Sequence, residues 1–360
     1  MLTTWQKEKL EHPVFDVLKH PEAFTLAVTS DPFPDAFNYF AEDGVVIKAV
    51  SAARGTCNMS GKGTMARRAF QKAIEEEFLR PGMRAIEASS GNTGPEMLGV
   101  AMQIDVPFTL LLSNSMPPPK LERARALTDG NLRRLFGNAK LAREMAEADE
   151  NLYNFDQYSG DPNGFNAWTQ GHILAPQVFT GNEDAAAIFV VGGSWGTALG
   201  LDWYTKNHGL RTKVVAVVAA ARQDISGGKN MGQTKNDILR SVLDIFPEDT
   251  ILRCPRDQAT LLSWLSWPYV VSASRGVQFN FGQSFGATYR GAIEWVLARK
   301  ADGTLDSYRN AEGQVVLLTF GMDDFQGYTN IYLSELPDWV LEGPRKLLPL
   351  EELMQFGRVA

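Results

Sequence analysis

Residues 187–220 read AIFVVGGSWGTALGLDWYTKNHGLRTKVVAVVAA, and the fold is decided here. Ala187–Gly193 and Lys213–Ala220 are short, near-continuous apolar runs rich in β-branched side chains. A strand with one wet face alternates polar and apolar residues. These runs do not alternate, so both of their faces are covered. Between them, TALGLDWYTKNHG reads as a helix. Strand, glycine turn, helix and strand in that order make a right-handed crossover between parallel strands.

The same rhythm extends outward. VVIKAV (Val45–Val50), MRAIEAS (Met83–Ser89), FTLLLS (Phe108–Ser113) and QVVLLTF (Gln314–Phe320) are further predicted strands. Helices are predicted over Thr64–Leu79 and from about Pro95 to Met102. The fold class is α/β, with parallel strands flanked by helices. At 360 residues the chain has room for two domains. The polar stretch near Asn138–Asp161 is a candidate boundary between two lobes, and Pro117–Pro119 a turn or helix start. No internal repeat or low-complexity tract is present.

Composition narrows the function classes. Net charge is −7, without the basic stripe that nucleic acid or an anionic membrane would need. No apolar run approaches the roughly 18 residues of a bilayer span. The start, MLTTWQKEKLEHPVF, lacks the order of a signal peptide, so a cytoplasmic location is expected. Cys57 and Cys254 give no disulfide framework, and the four histidines have no i,i+4 spacing, so no metal site is expected. His208 reads as part of a helix C-terminus and His172 as structural. Cys57 reads as a small buried residue, with a nucleophile as the alternative.

Three strand ends carry unusual loops: Thr56–Gly63 (TCNMSGKG), Ser89–Gly94 (SSGNTG) and Gly192–Thr197 (GGSWGT). Ligands in open α/β sheets bind beyond the carboxyl ends of strands. Glycines and small hydroxyls there let backbone N–H groups approach an anion, and a helix N-terminus adds partial positive charge. Nucleotide loops fit poorly. Gly61-Lys62 comes one residue too late after Gly55 for a P-loop, Gly63 replaces the magnesium-binding hydroxyl, and Gly192–Gly200 lacks dinucleotide spacing. Lys62, between two glycines at a helix start, opposes the helix dipole. It is either an ordinary solvated lysine or an amine condensed with a carbonyl, which removes the conflict.

These residues resemble the cysteine synthase and cystathionine β-synthase family, the fold type II pyridoxal-phosphate (PLP) enzymes. SGKGTMARRA is similar to that family's cofactor-lysine segment and EASSGNTG to its asparagine loop. Asn154–Tyr158 with Asp161-Pro162-Asn163 and Thr169 is similar to its glutamine segment, and Gly193–Thr197 to its phosphate loop. Gly282–Ala287 is similar to a late glycine–serine turn, and Val315–Gly321 to the strand facing the pyridine nitrogen.

The resemblance implies two open, twisted, mostly parallel sheets of tryptophan synthase β type with the active site between the lobes. It divides the chain into a smaller lobe over residues 56–158, a larger lobe over 1–55 plus 159–335, and a C-terminal extension over 336–360. It implies pyridoxal 5′-phosphate on Lys62 as a Schiff base, with Asn92 on the ring hydroxyl. The phosphate would rest on Gly193, Ser194, Trp195, Gly196 and Thr197, and the pyridine nitrogen would face Thr319. Ser89, Ser90 and Thr93, helped by Gln157, would bind the substrate carboxylate. Turn and cap roles compete for Asn92, Ser89 and Ser90, and a loop position for Gln157. Trp195 stands where the family has glycine, so it packs beneath the loop or reshapes the substrate side. Gly63-Thr64 replaces the family's Asp-Arg. Both departures bear on substrate rather than cofactor.

The implied activity is β-replacement on serine, O-acetylserine, O-phosphoserine or cysteine. It would proceed through an α-aminoacrylate with a small nucleophile as second substrate, in a homodimer. A β-eliminating lyase and a non-catalytic partner or sensor are the alternatives. Asp323 and Asp324 line the entrance or are solvated. The amphipathic segment after Tyr328 either covers a dimer interface or packs on the core.

Overall fold

The computed structural model describes residues 2–52, 62–89, 93–112, 132–159, 164–221, 223, 225, 228, 231–232, 241–273, 282–321 and 329–357. Its strands are β1 Ala27–Thr29, β2 Val45–Ala52, β3 Arg84–Ser89, β4 Phe108–Leu112, β5 Leu132–Phe136, β6 Leu152–Asn154, β7 Ala187–Val191, β8 Lys213–Ala219, β9 Leu252–Cys254 and β10 Val315–Gly321. Its principal helices are α1 Thr4–Leu10, α2 Lys62–Glu75, α3 Thr93–Gln103, α4 Ala139–Ala148, α5 Phe165–Thr169, α6 Ala175–Phe179, α7 Gly196–Asn207, α8 Arg256–Ala273, α9 Gln283–Ala301, α10 Thr329–Glu335 and α11 Leu350–Gln355.

Two sheets form. One has six strands in the order β1-β2-β10-β7-β8-β9, the other four in the order β5-β4-β3-β6. Every pairing is parallel except β1 with β2. β10 lies inside the larger sheet, and all seven of its residues are buried. Val315 and Leu317 enter the core with α8 and α9, while Val316, Leu318 and Phe320 enter the core with α5–α7. This double burial produces the unalternating runs. The smaller sheet shares a core with α2 and α3, built from Ala66, Phe70, Ile74, Leu98, Phe108 and Leu110 among others.

The chain crosses between the sheets twice among the elements around the site. β2 belongs to the larger sheet, and the next helix, α2, packs with the smaller one. β6 belongs to the smaller sheet, and α5 returns to the larger core through Ala167. The N-terminal segment touches both: Val14 and Phe15 enter the smaller sheet's core and Val17 the larger's. Gln6 Nε2 donates to Ile74 O at 2.8 Å, holding α1 on the end of α2.

The C-terminal segment packs on the larger core through Leu336, Val340 and Leu353. Gln258 Nε2 donates to the carbonyls of Met354 and Phe356, and Trp264 Nε1 to that of Val340. Among the described residues, no helix is long and apolar enough to cross a membrane.

Helices α8 and α9 meet at Gly286, where an added Cβ would lie 1.9 Å from Ala259 O. Backbone on both sides leaves nothing flexible to give way. Gly286→Ala should therefore destabilise the protein by about 1–3 kcal/mol, as for other overpacked cores, read as a lower midpoint in urea unfolding.

Candidate functional site

Strand order locates the crevice. In the smaller sheet β3 leads on to β4 and β5 on one side and has β6 on the other. In the larger, β7 leads on to β8 and β9 and has β10 on its other side. Connections leave in opposite directions at these two points, so each opens a crevice at the carboxyl ends of its strands. The first lies at the ends of β3 and β6, the second at the ends of β7 and β10.

In the first crevice, Ser89 is the last residue of β3 and is buried. Its Oγ accepts the N–H of Gly94 at 3.0 Å, so it caps the first turn of α3. Thr93, also buried, is the first residue of that helix. Ser90 and Asn92 lie outside the described residues, as do Cys57, Asp323 and Asp324.

Gln157 is buried, and its backbone N donates to Glu87 Oε2 at 3.2 Å. Its side-chain Nε2 donates to Ala88 O at 2.7 Å and reaches Glu87 Oε1 at 3.4 Å. The segment after β6 is thereby fastened to the end of β3. Glu87 also accepts from the N–H of Ala88 at 2.8 Å. It was not singled out in the sequence, where a lone Glu in an apolar run carries no site signal. Burial pushes its carboxyl up to about 8, Asp156 nearby adds to this, and the three N–H donors partly oppose it.

Lys62 is the first residue of α2, half-buried, at the point where the chain enters the smaller lobe. Arg67, one turn on, is buried with its Nε donating to Val14 O at 2.7 Å.

In the second crevice, Gly192–Trp195 forms the turn into the 12-residue α7, whose N-terminus has no side-chain cap. Trp195 is the N-cap residue, with φ 64°. That left-handed conformation is costly for a residue with a large side chain. The indole holds it there. Trp195 is 1% exposed, packs 5.7 Å from the Phe246 ring, and lies against the Cα of Gly192. The ring thus packs beneath the turn. Thr197 is buried in the first turn of α7, and Ser194 is half-buried at the turn. Ser194 Oγ accepts from Asn166 Nδ2 at 2.8 Å.

Thr319 lies inside β10 and is fully buried, its hydroxyl donating to Lys48 O on β2 at 3.1 Å. Ser284 stands in the first turn of α9; one turn later, Thr288 Oγ1 donates to Phe320 O at 3.3 Å. That hydroxyl also donates to Phe285 O at 2.9 Å, so the first turns of α9 pack against the carboxyl-terminal part of β10. His208 is the C-cap of α7, bonded to Tyr204 O. His172 stacks between Trp168 and Trp203, at 4.6 and 4.1 Å, outside the crevices.

An uncapped helix N-terminus behind a glycine turn is a site for a bound anion. The backbone N–H groups of the turn and of the first turn of α7, with the half-buried Ser194 hydroxyl, are the donors present there, and a cofactor with an anionic tail fits them. Two parallel-rich sheets, each with a reversal of strand order, a helix headed by a lysine and a glycine turn before an uncapped helix are the features against which known proteins can be compared.

Residues 54–245 match the family described as "Pyridoxal-phosphate dependent enzyme". The chain belongs to that family, and its cofactor is pyridoxal phosphate. Its fold is that of solved cysteine synthase-type enzymes. A cysteine synthase from Entamoeba histolytica is 16% identical with TM-score 0.65, covering 90% of this chain and 91% of that one. An O-acetylserine-dependent cystathionine β-synthase from Helicobacter pylori is 16% identical with TM-score 0.63, covering 92% and 98%. An O-ureido-L-serine synthase is 18% identical with TM-score 0.65, covering 88% and 96%.

Two outcomes are expected. Trp195→Gly removes the backbone strain but loses a buried indole worth about 3–5 kcal/mol, so it should lower stability by about 2–4 kcal/mol in urea. Glu87 keeps its proton on folding, so its contribution is full below about 4.5 and is lost as pH rises towards about 8. The thermal midpoint should fall across that window in the wild type and less steeply in Glu87→Gln.

Proposed function

We propose that the protein catalyses β-replacement on a small amino acid of the serine type, with a small nucleophile as second substrate. The observation that carries this reading is Lys62 at the head of α2, where the chain passes from the larger lobe to the smaller, in a chain that also presents the uncapped start of α7. The smaller lobe over 56–158, the larger over 1–55 plus 159–335, the extension over 336–360 and assembly as a homodimer belong to the same reading. It is supported by what the fold neighbours are called: synthases named for cysteine, cystathionine and O-ureido-L-serine.

When bound, the cofactor supplies an electron sink that acidifies the substrate's α-carbon and lets a β-substituent depart. Lys62 Nζ would hold the cofactor covalently and would be the base that takes the α-proton. Asn92 orients the ring through its hydroxyl. Gly193, Ser194, Gly196 and Thr197 hold the phosphate at the start of α7, with the backbone N–H groups providing most of the attraction. Trp195 contributes by fixing the turn from below.

Ser89, Ser90 and Thr93 bind the substrate carboxylate at the start of α3. Gln157 has its amide N–H groups engaged by Ala88 and Glu87, so it acts by holding Ser89 in place. Thr319 would face the pyridine nitrogen; its hydroxyl donates to Lys48 O and would turn from it to do so. A neutral hydroxyl there would not keep the ring nitrogen protonated, which would favour prompt loss of the β-leaving group. Closure of the lobes excludes water, which would otherwise divert the reaction to elimination.

Protein purified with ample vitamin B6 should be yellow, and Lys62→Ala should lose both the visible band and turnover. Serine, O-acetylserine, O-phosphoserine or cysteine should release its β-substituent, with keto acid falling as nucleophile is added. Keto acid that is indifferent to nucleophile would make the enzyme an eliminating lyase. A colourless wild type that releases nothing would leave a non-catalytic relative.

A further inference from the structure

Gly196 and Gly200 lie one turn apart on α7, and neither has the positive φ that demands glycine. Contact demands it instead. A Cβ on Gly196 would fall 2.0 Å from Asn166 Cγ, and one on Gly200 2.5 Å from Ala167 O. The two glycines form a groove that takes the backbone of α5 and the side chain of Asn166 directly against the first residue of α7. Asn166 is 6% exposed and was not among the residues expected at the site.

The polarity of its one hydrogen bond has a consequence. Asn166 Nδ2 donates to Ser194 Oγ at 2.8 Å, so that oxygen is an acceptor in this contact. Its own proton must point elsewhere. Ser194 is half-buried at the turn, immediately ahead of the uncapped N-terminus of α7. The proton is therefore free to donate to an anion held there. On the other side of the same amide, Asn166 Oδ1 is buried without a partner among the described residues, a cost that a purely structural amide would avoid.

We infer that Asn166 is a positioning residue for the cofactor's phosphate: its amide, seated in the Gly196–Gly200 groove, turns the Ser194 hydroxyl into a donor aimed at the anion. This rests on the reading of residues 193–197 as the phosphate turn. A carboxylate at 166 reverses the polarity. It accepts from Ser194, turns that proton away, and brings negative charge to the start of α7.

The test uses Asn166→Asp, Asn166→Ala, Ser194→Ala and the double Asn166→Ala/Ser194→Ala. Cofactor affinity is measured by quenching of tryptophan fluorescence in the full-length apoprotein. The probe for the phosphate site alone is the rise in melting temperature with inorganic phosphate. Asn166→Asp is expected to abolish the phosphate-induced rise and weaken cofactor binding at least tenfold. Asn166→Ala should weaken it by about threefold to tenfold, the scale of one hydrogen bond. In the Ser194→Ala background, Asn166→Ala should change affinity less than twofold, because its effect runs through that hydroxyl.

A structural role predicts that Asn166→Ala costs as much in the Ser194→Ala background as in the wild type, since a buried carboxylate at 166 is damaging under either role. Additive losses in the double variant, or wild-type affinity in Asn166→Asp, would overturn the inference. If Asn166→Asp does not fold, the alanine pair decides it. A wild type that takes up neither cofactor nor phosphate overturns the phosphate turn itself, whereas losses confined to the variants leave that turn intact.

Discussion

A parallel strand reaches its neighbour only by way of a crossover, and here that crossover is a helix after β3, β5 and β7. The carboxyl end of such a strand therefore opens on a helix start. Where the order of strands reverses, two such ends separate and leave a gap. This chain builds the arrangement twice, once per sheet, and passes from one sheet to the other beside the gaps. The placement of Lys62, Ser89, Thr93 and Ser194 follows from that topology more than from any local preference of their own.

The two crevices are stiffened differently. In the smaller lobe the device is polar: Gln157 and Glu87 clamp the segment after β6 to the end of β3 through hydrogen bonds in a dry setting. Low local polarity strengthens such bonds and keeps the carboxyl protonated. In the larger lobe the device is apolar. Trp195 accepts an unfavourable backbone conformation because its indole fills the core under the turn, where a glycine would leave the turn supple and the space empty. A tryptophan in the middle of this turn is thus compatible with the phosphate site proposed for it, since the indole packs beneath and leaves the backbone N–H groups uncovered by its ring.

Much of the fold was legible because its strands are buried on both faces. VVIKAV, RAIEAS, FTLLL, AIFVV and VVLLTF announce themselves as apolar runs. The strands that escaped notice are edges or short pieces. β5 carries Arg133 and Arg134 in a five-residue strand, β6 spans only Leu152–Asn154, and β1 and β9 are three-residue edges. Edge strands need no apolar run and may carry charge. The candidate site was proposed from residue types alone, glycines and small hydroxyls at strand ends and a lysine at a helix start, and Ser89, Thr93 and Thr197 are buried at such positions. Hydrogen-bond allegiance was not legible. Nothing in the sequence tells that Thr319 is engaged by Lys48 O, that both ends of Gln157 serve Glu87, or that Gly196 is glycine on account of Asn166, thirty residues upstream. Those facts depend on which elements lie side by side, and sequence spacing does not record it.

The N-terminal segment packs into the cores of both sheets. Val14 and Phe15 are seated in one core, Val17 in the other, and Arg67 of α2 grips the carbonyl of Val14. The helix headed by Lys62 is itself held by this strap through Arg67, so where that helix sits depends on the N-terminal segment as well as on the sheet it covers.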